Sequence, residues 1–248
     1  MRLDVLLTPG ELVPSEIAGR TVVVLDVLRA STTIVEALAA GARTLYPVAT
    51  IEEAIGLAKT LGRDEVLLAG ERKALPIEGF DLGNSPREFT PERVGGKTVV
   101  MSTTNGTIAI TASSGSERVL VGSWLNFQAV VDELARSKAE PVLLCAGREG
   151  RFGLEDAVCA GQMAAALMKA LPEVEWEMND GAVAALALAE EFPDPAKLFP
   201  HTAAGRGIMD AGLGEDLEYC AQTDLRDVLP VLQDRQITLQ PAGEGVNG

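Results

Sequence analysis

The chain has 248 residues, 47% of them hydrophobic, with 25 glycines and 13 prolines, which is ample material for one large domain with a sizeable core. Its net charge of −15, from 36 acidic against 21 basic side chains, argues against a nucleic-acid or anionic-membrane partner. One histidine and three cysteines without CxxC spacing all but exclude zinc or copper, so any metal must be a hard cation on oxygen ligands, magnesium or a relative.

The opening "MRLDVLLTPGELVP" has too short an apolar part for a signal peptide, and no later run reaches the roughly 20 residues that span a bilayer. A soluble, cytoplasmic protein is expected. Apolar β-branched runs follow at 21–28, 43–49, 65–70, 97–103, 117–123 and 141–147. Ala-rich segments of helical period separate most of them, at 31–41, 51–62, 105–113, 125–138 and 154–171. Continuous apolar strands alternating with helices predict an α/β fold: a three-layer α/β/α arrangement around a mainly parallel sheet. Beyond 172 the pattern turns helical, most clearly at 180–191, and a late run at 228–239 offers a strand that Pro230 would confine to an edge. A single domain over 1–242 is expected, with a helical C-terminal part from 172 and a mobile tail "GEGVNG".

The chain also resembles itself. Residues 21–72 run beside 98–148 at an offset near 75, and "VLLAGER" and "VLLCAGR" both close a strand on Ala, Gly and Arg. This predicts two similar αβ halves, about 21–90 and 98–165, from an internal repeat. Each first strand ends in a short-polar turn, "DVLRAST" in one and "STTNGT" in the other. Helix capping needs one such hydroxyl; a run of them at a strand's carboxyl end suits an oxyanion site.

The chemistry-bearing groups lie at these turns. Asp26 interrupts an apolar strand, so it must be paired, with Arg29 as the nearest partner, or serve as a metal ligand or acid. Arg72, Asp81 and Asn84 follow the third strand of the first half, and Arg148, Glu155 and Asp156 that of the second. Asp26, Asp81, Glu155 and Asp156 are the candidate catalytic and magnesium-binding carboxylates. Arg29, Ser31, Arg72, Asn84, Thr104, Asn105 and Arg148 are the candidate substrate-binding residues. The bland alternatives are an Asp26–Arg29 ion pair and a helix start favoured by the dipole at Glu155 and Asp156. Cys145 and Arg151 have the spacing of a cysteine-phosphatase loop, which gives an alternative nucleophile; buried packing is the commoner fate of such cysteines. His201 reads as a solvent-side or capping residue, less often as a general acid.

In order, "DVLRASTTI", "GER" with "IEGFDLGNSP", "STTNGT" and "CAGREGRFGLEDAVCAG" resemble the signature stretches of the 2-phosphosulfolactate phosphatase family over nearly the whole chain, weakening after about residue 220. The resemblance implies magnesium-dependent hydrolysis of 2-phosphosulfolactate to sulfolactate and phosphate, a step toward coenzyme M, or action on a similar phosphorylated 2-hydroxy acid. It implies a small anionic substrate, with a homodimer open as the assembly. A non-catalytic module that holds an acidic metabolite is the competing class; it needs the arginines but not the carboxylates.

Overall fold

The computed structural model describes residues 1–62 and 65–240. The tail from 241, including the segment expected to be mobile and the end of the expected domain, lies outside the described residues. Among the described residues eleven strands form one sheet: β1 (Arg2–Leu6), β2 (Thr21–Leu25), β3 (Thr44–Pro47), β4 (Val66–Arg72), β5 (Leu75–Pro76), β6 (Thr98–Ser102), β7 (Arg118–Gly122), β8 (Pro141–Cys145), β9 (Glu177–Met178), β10 (Pro230–Gln233) and β11 (Gln236–Leu239). The helices are α1 (Pro14–Ile17), α2 (Ala30–Ala39), α3 (Ile51–Leu61), α4 (Pro91–Val94), α5 (Gly106–Ala112), α6 (Phe127–Ser137), α7 (Leu154–Ala170), α8 (Asp180–Glu191), α9 (Pro195–Leu198), α10 (Ala203–Asp210) and α11 (Glu215–Cys220). The strand order is β5-β4-β6-β3-β11-β10-β7-β2-β8-β1-β9.

The fold is α/β with a mostly parallel sheet, and its six central apolar runs are all strands. Side chains alternate between faces, as a strand's two-residue period requires. Val22 and Val24 of β2 join one core with Val142 and Leu144 of β8, while Val23 and Leu25 join another with Leu143 and Cys145. The first of these cores also takes Leu45, Ala69, Val99 and Met101 from β3, β4 and β6, together with Ile34 and Leu38 of α2 and Ile110 of α5. Helix α2 packs on both β7 and β3, and α5 on both β2 and β3. The sheet therefore wraps a shared middle layer of helices, with α6, α7 and α8 outside one wing and α3 outside the other. Each wing has helices on both faces, and the two wings share the inner layer.

Pairing departs from the expectation of separate halves. β2 lies between β7 and β8, with Thr21 opposite Arg118 and Pro141. β6 lies between β3 and β4, with Thr98 opposite Thr44 and Val66. The two triplets match in order and register, yet each takes its central strand from the other segment. Segments 21–90 and 98–165 thus do not fold as self-contained units.

The late run also differs from expectation. It is a hairpin, β10 paired antiparallel to β11, and it bridges β7 and β3 in the middle of the sheet rather than lying at an edge. Pro230 is tolerated because it is the first residue of its strand. β1, hidden in the short N-terminal apolar stretch, pairs parallel with β8 and β9. No helix among the described residues is long and apolar enough to cross a membrane.

Candidate active site

The carboxyl ends of β2, β4, β6 and β8 meet at one cavity of about 250 Å³. Sheet twist of roughly 20–25° per strand and the wrap around the middle helices bring together ends that belong to different wings. Asp26, Arg29, Asn84, Thr104, Asn105, Arg148 and Glu155 line the cavity, joined by Glu71, Lys73 and Glu149.

Asp26 stands one residue past β2 and is 6% exposed. Its carboxylate accepts the Ala30 N–H at 3.2 Å, so it caps α2, whose N-cap position Arg29 makes no side-chain bond there. Ser31 is wholly buried behind it, accepting the Asp26 N–H at 2.8 Å and donating to the Val24 carbonyl at 3.2 Å. Gly106 opens α5 against this carboxylate; a Cβ there would lie 2.7 Å from Asp26 Oδ2 and 2.6 Å from Ala30 Cβ. Burial pushes the Asp26 carboxyl up to about 7, and the charges of Glu71 and Glu155 add to the rise against the lowering effect of its backbone bonds. Burial likewise raises Glu155, opposed by Thr202 and Arg148.

Glu71 was legible only as the neighbour of Arg72. Its two oxygens accept the N–H groups of Thr104 and Ala74, each at 2.8 Å, so it ties the end of β4 to the turn after β6 and faces the cavity. Arg72 turns away from the cavity: its guanidinium donates to the Ser102 carbonyl at 3.1 Å, the Ser102 hydroxyl at 2.9 Å and the Glu71 carbonyl at 2.6 Å. Lys73, the next residue, takes the cavity position expected of Arg72.

Arg29 does not pair with Asp26. It donates at 2.6 Å to Asp216, a carboxylate fully buried on α11, and at 2.8 Å to the Ala74 carbonyl. Asp216 also accepts the Ser85 hydroxyl at 2.6 Å. Nothing in "GEDLEYC" marks Asp216 among four neighbouring acids and polar residues; only its burial does. Arg148 donates to the Ala203 carbonyl at the start of α10.

Two expected carboxylates are placed differently. Asp156 is 2% exposed, and its oxygens accept the N–H groups of Val27 at 2.9 Å and Gly147 at 3.0 Å, which fastens the two strand-end turns behind the cavity. Burial pushes it well up, with Glu155 and Asp26 adding. Asp81 lies outside the cavity, accepting the Leu68 N–H at 2.8 Å on an exposed loop. Both are short acids whose oxygens accept backbone N–H groups, Asp156 in the first turn of α7 and Asp81 on a loop, and neither lines the cavity.

The cysteine alternative does not fit this geometry. Cys145 is 0% exposed in the apolar core beneath α7, and burial drives its thiol well above the ordinary value. The following residues form a tight turn: Arg148 and Arg151 exchange N–H···O bonds of 2.8 and 2.9 Å, with Glu149 and Gly150 at φ 51 and 73. Those amides hold each other rather than an anion, and Arg151 is exposed. Cys159 and Cys220 are buried as well. His201 is exposed and does not line the cavity.

The sequence profile of a family described as "2-phosphosulpholactate phosphatase" matches residues 6–235. The chain belongs to that family. A protein of Symbiobacterium thermophilum is 42% identical over 225 residues, covering 90% of this chain and 96% of its own length. One from Thermotoga petrophila is 41% identical over 231 residues (93% and 95%), and one from Clostridium beijerinckii 35% over 240 residues (97% and 100%). Each is named "Probable 2-phosphosulfolactate phosphatase". Membership makes this phosphatase-family chain an enzyme of the phosphoric monoester hydrolase class.

Whether the cavity suits magnesium turns on its oxygens. Among the described residues no three acidic, histidine or cysteine side chains stand close enough to hold a metal unaided. Magnesium rarely asks for that; one or two carboxylates, substrate phosphate and water complete its shell. Asp26, Glu71 and Glu155 face one space, and the buried oxygens Asn84 Oδ1 and Thr104 Oγ1 beside them have no protein partner. A hard-oxygen set with orphaned donors fits a hard cation.

Proposed function

We propose that this chain hydrolyses 2-phosphosulfolactate, or a closely similar phosphorylated 2-hydroxy acid, to the hydroxy acid and phosphate, with magnesium as cofactor. The observation that carries the reading is the convergence of Asp26, Glu71 and Glu155 with Arg29, Lys73 and Arg148 on one cavity. A module that merely held an acid would gain nothing from three carboxylates facing its anionic ligand.

Glu71 and Glu155 are the residues we assign to magnesium, with Thr104 and Asn84 oxygens beside them. When bound, magnesium supplies positive charge against the phosphate oxygens and offsets the mutual repulsion of the carboxylates. Arg29 and Arg148 hold the phosphate and carboxylate of the substrate, each fixed by its protein partner. Asp26, whose carboxyl is raised by burial, is placed to give a proton to the departing oxygen of the 2-hydroxy acid as the P–O bond breaks and water takes up the phosphoryl group. Asp156 and Ser31 keep the backbone around Asp26 in place.

Phosphate release from a panel of phosphorylated 2-hydroxy acids tests the reading. Activity should disappear in EDTA and return with magnesium, manganese or cobalt. Full turnover in excess chelator would refute the metal assignment, and no release from any panel member would refute the substrate class.

A further inference from the structure

Three cationic side chains line the cavity, and they are held very differently. Arg29 is clamped by the buried Asp216 and the Ala74 carbonyl, and Arg148 by the Ala203 carbonyl. Lys73 has neither a hydrogen bond nor an ion pair among the described residues, and its side chain is exposed. It sits on a turn whose backbone is nevertheless fixed: Lys73 and Ala74 have φ of 54 and 66, and Glu71 accepts the Ala74 N–H at 2.8 Å. A rigid turn thus presents a free ammonium at the cavity mouth. It shares the cavity lining with Glu71 two residues before it and sits beside the exposed Leu75.

We propose that Lys73 is the specificity residue of this enzyme, binding a second acidic group on carbon 3 of the substrate, beyond the phosphate and carboxylate taken by the two clamped arginines. The assignment rests on the substrate reading above and deepens it. A fixed guanidinium fork suits groups whose position is set by the chemistry, whereas an ammonium is a compact point charge on a flexible stem. Such a charge attracts a tetrahedral sulfonate and a planar carboxylate alike. The site therefore selects for a third anionic group rather than for sulfur. Its substrate class is 2-phosphorylated acids carrying a sulfonate or carboxylate on carbon 3, preferred over 2-phospholactate, which has only two anionic groups.

The test compares kcat/KM for 2-phosphosulfolactate, 2-phosphomalate and 2-phospholactate in the magnesium-loaded enzyme. The wild type should favour both substrates with three anionic groups over 2-phospholactate. Lys73→Met should reduce that preference roughly tenfold, the scale of one charge-assisted hydrogen bond, through KM rather than kcat. Lys73→Arg, which keeps the charge, should retain most of it. An unchanged preference in Lys73→Met, an equal fall for all three esters, or a loss in Lys73→Arg as large as in Lys73→Met would each overturn the assignment. If the wild type hydrolyses none of the three, the substrate reading fails by itself. Calorimetric binding of sulfolactate against lactate then decides Lys73: tighter sulfolactate binding that Lys73→Met abolishes supports it, and any other result removes it.

Discussion

Replacing Asp26 with asparagine should make the enzyme less active but, above neutral pH and without metal, more stable. The ordinary aspartate value of 3.8 rises to about 7 in the fold, chiefly from burial, with Glu71 and Glu155 contributing. A folded-state pKa above the unfolded one means the folded chain binds the extra proton between those values. Stability is then fully present below about pH 4 and falls as pH rises through 7. The interval from 3.8 to about 7 corresponds to about 4 kcal/mol. Neighbouring carboxylates share that cost, so about 2 kcal/mol is a fair expectation for Asp26 alone. Asparagine cannot ionise yet still accepts the Ala30 N–H. Urea unfolding of both proteins in EDTA should show the variant about 2 kcal/mol more stable at pH 8 and nearly level with the wild type at pH 4.5. Magnesium should narrow the pH 8 gap by stabilising the wild type. Equal differences at the two pH values, or a variant less stable at pH 8, would refute the claim that this carboxylate is held ionised at a cost.

Cys145→Ser should keep most of the turnover of the folded protein while losing about 1–3 kcal/mol of stability, because a hydroxyl replaces a thiol in an apolar core. A drop beyond about a thousandfold in kcat would instead restore the thiol as nucleophile. Gly106→Ala would ordinarily steady a helix by about 0.5–1 kcal/mol. Here its methyl meets Asp26 Oδ2 and Ala30 Cβ, so turnover should fall about a hundredfold, the effect of misplacing a catalytic group by an ångström. A stable, fully active Gly106→Ala enzyme would show that Asp26 tolerates displacement.

The local pattern of this protein was largely readable, and its long-range pairing was not. Val22 to Leu25 and Val142 to Cys145 read as strands because they are apolar on both faces, and that same property hides their neighbours. An alternating strand would have restricted which partners could lie beside it; a uniformly buried one does not. The exchange of β2 and β6 between segments, and the seating of the β10–β11 hairpin between the wings, follow from contacts across nearly the whole chain. The polar strand-end turns were recognisable because several adjacent hydroxyls exceed what capping uses. Which of their side chains face the cavity was not, since adjacent residues on a turn diverge: Arg72 ties two strands together and Lys73 faces the ligand space. Glu71 and Asp216 carry no spacing signal of their own, one being an acid beside an arginine and the other one acid in an acidic helix.

The electrostatics of the cavity explain why strands from both wings are needed. An anionic ligand must enter a protein of net charge −15 and rest beside Asp26, Glu71 and Glu155. No single strand end has the cations to offset that. Arg29 comes from the end of β2, Lys73 from the turn after β4 and Arg148 from the end of β8, while Asp216, which clamps Arg29, belongs to α11. Each wing alone would present carboxylates with one or two basic partners, and a phosphate approaching it would be repelled at close range, where screening by salt is weakest. Joined through the C-terminal hairpin, the wings set three basic side chains against the three carboxylates, and a bound divalent cation would leave the cavity net positive before the anionic substrate arrives. Removing that cation should therefore weaken binding of the hydroxy-acid product as well as abolish turnover. Calorimetry with sulfolactate in EDTA and in magnesium reads the first effect separately from the second, and equal affinity in both would place the cation's role in chemistry alone.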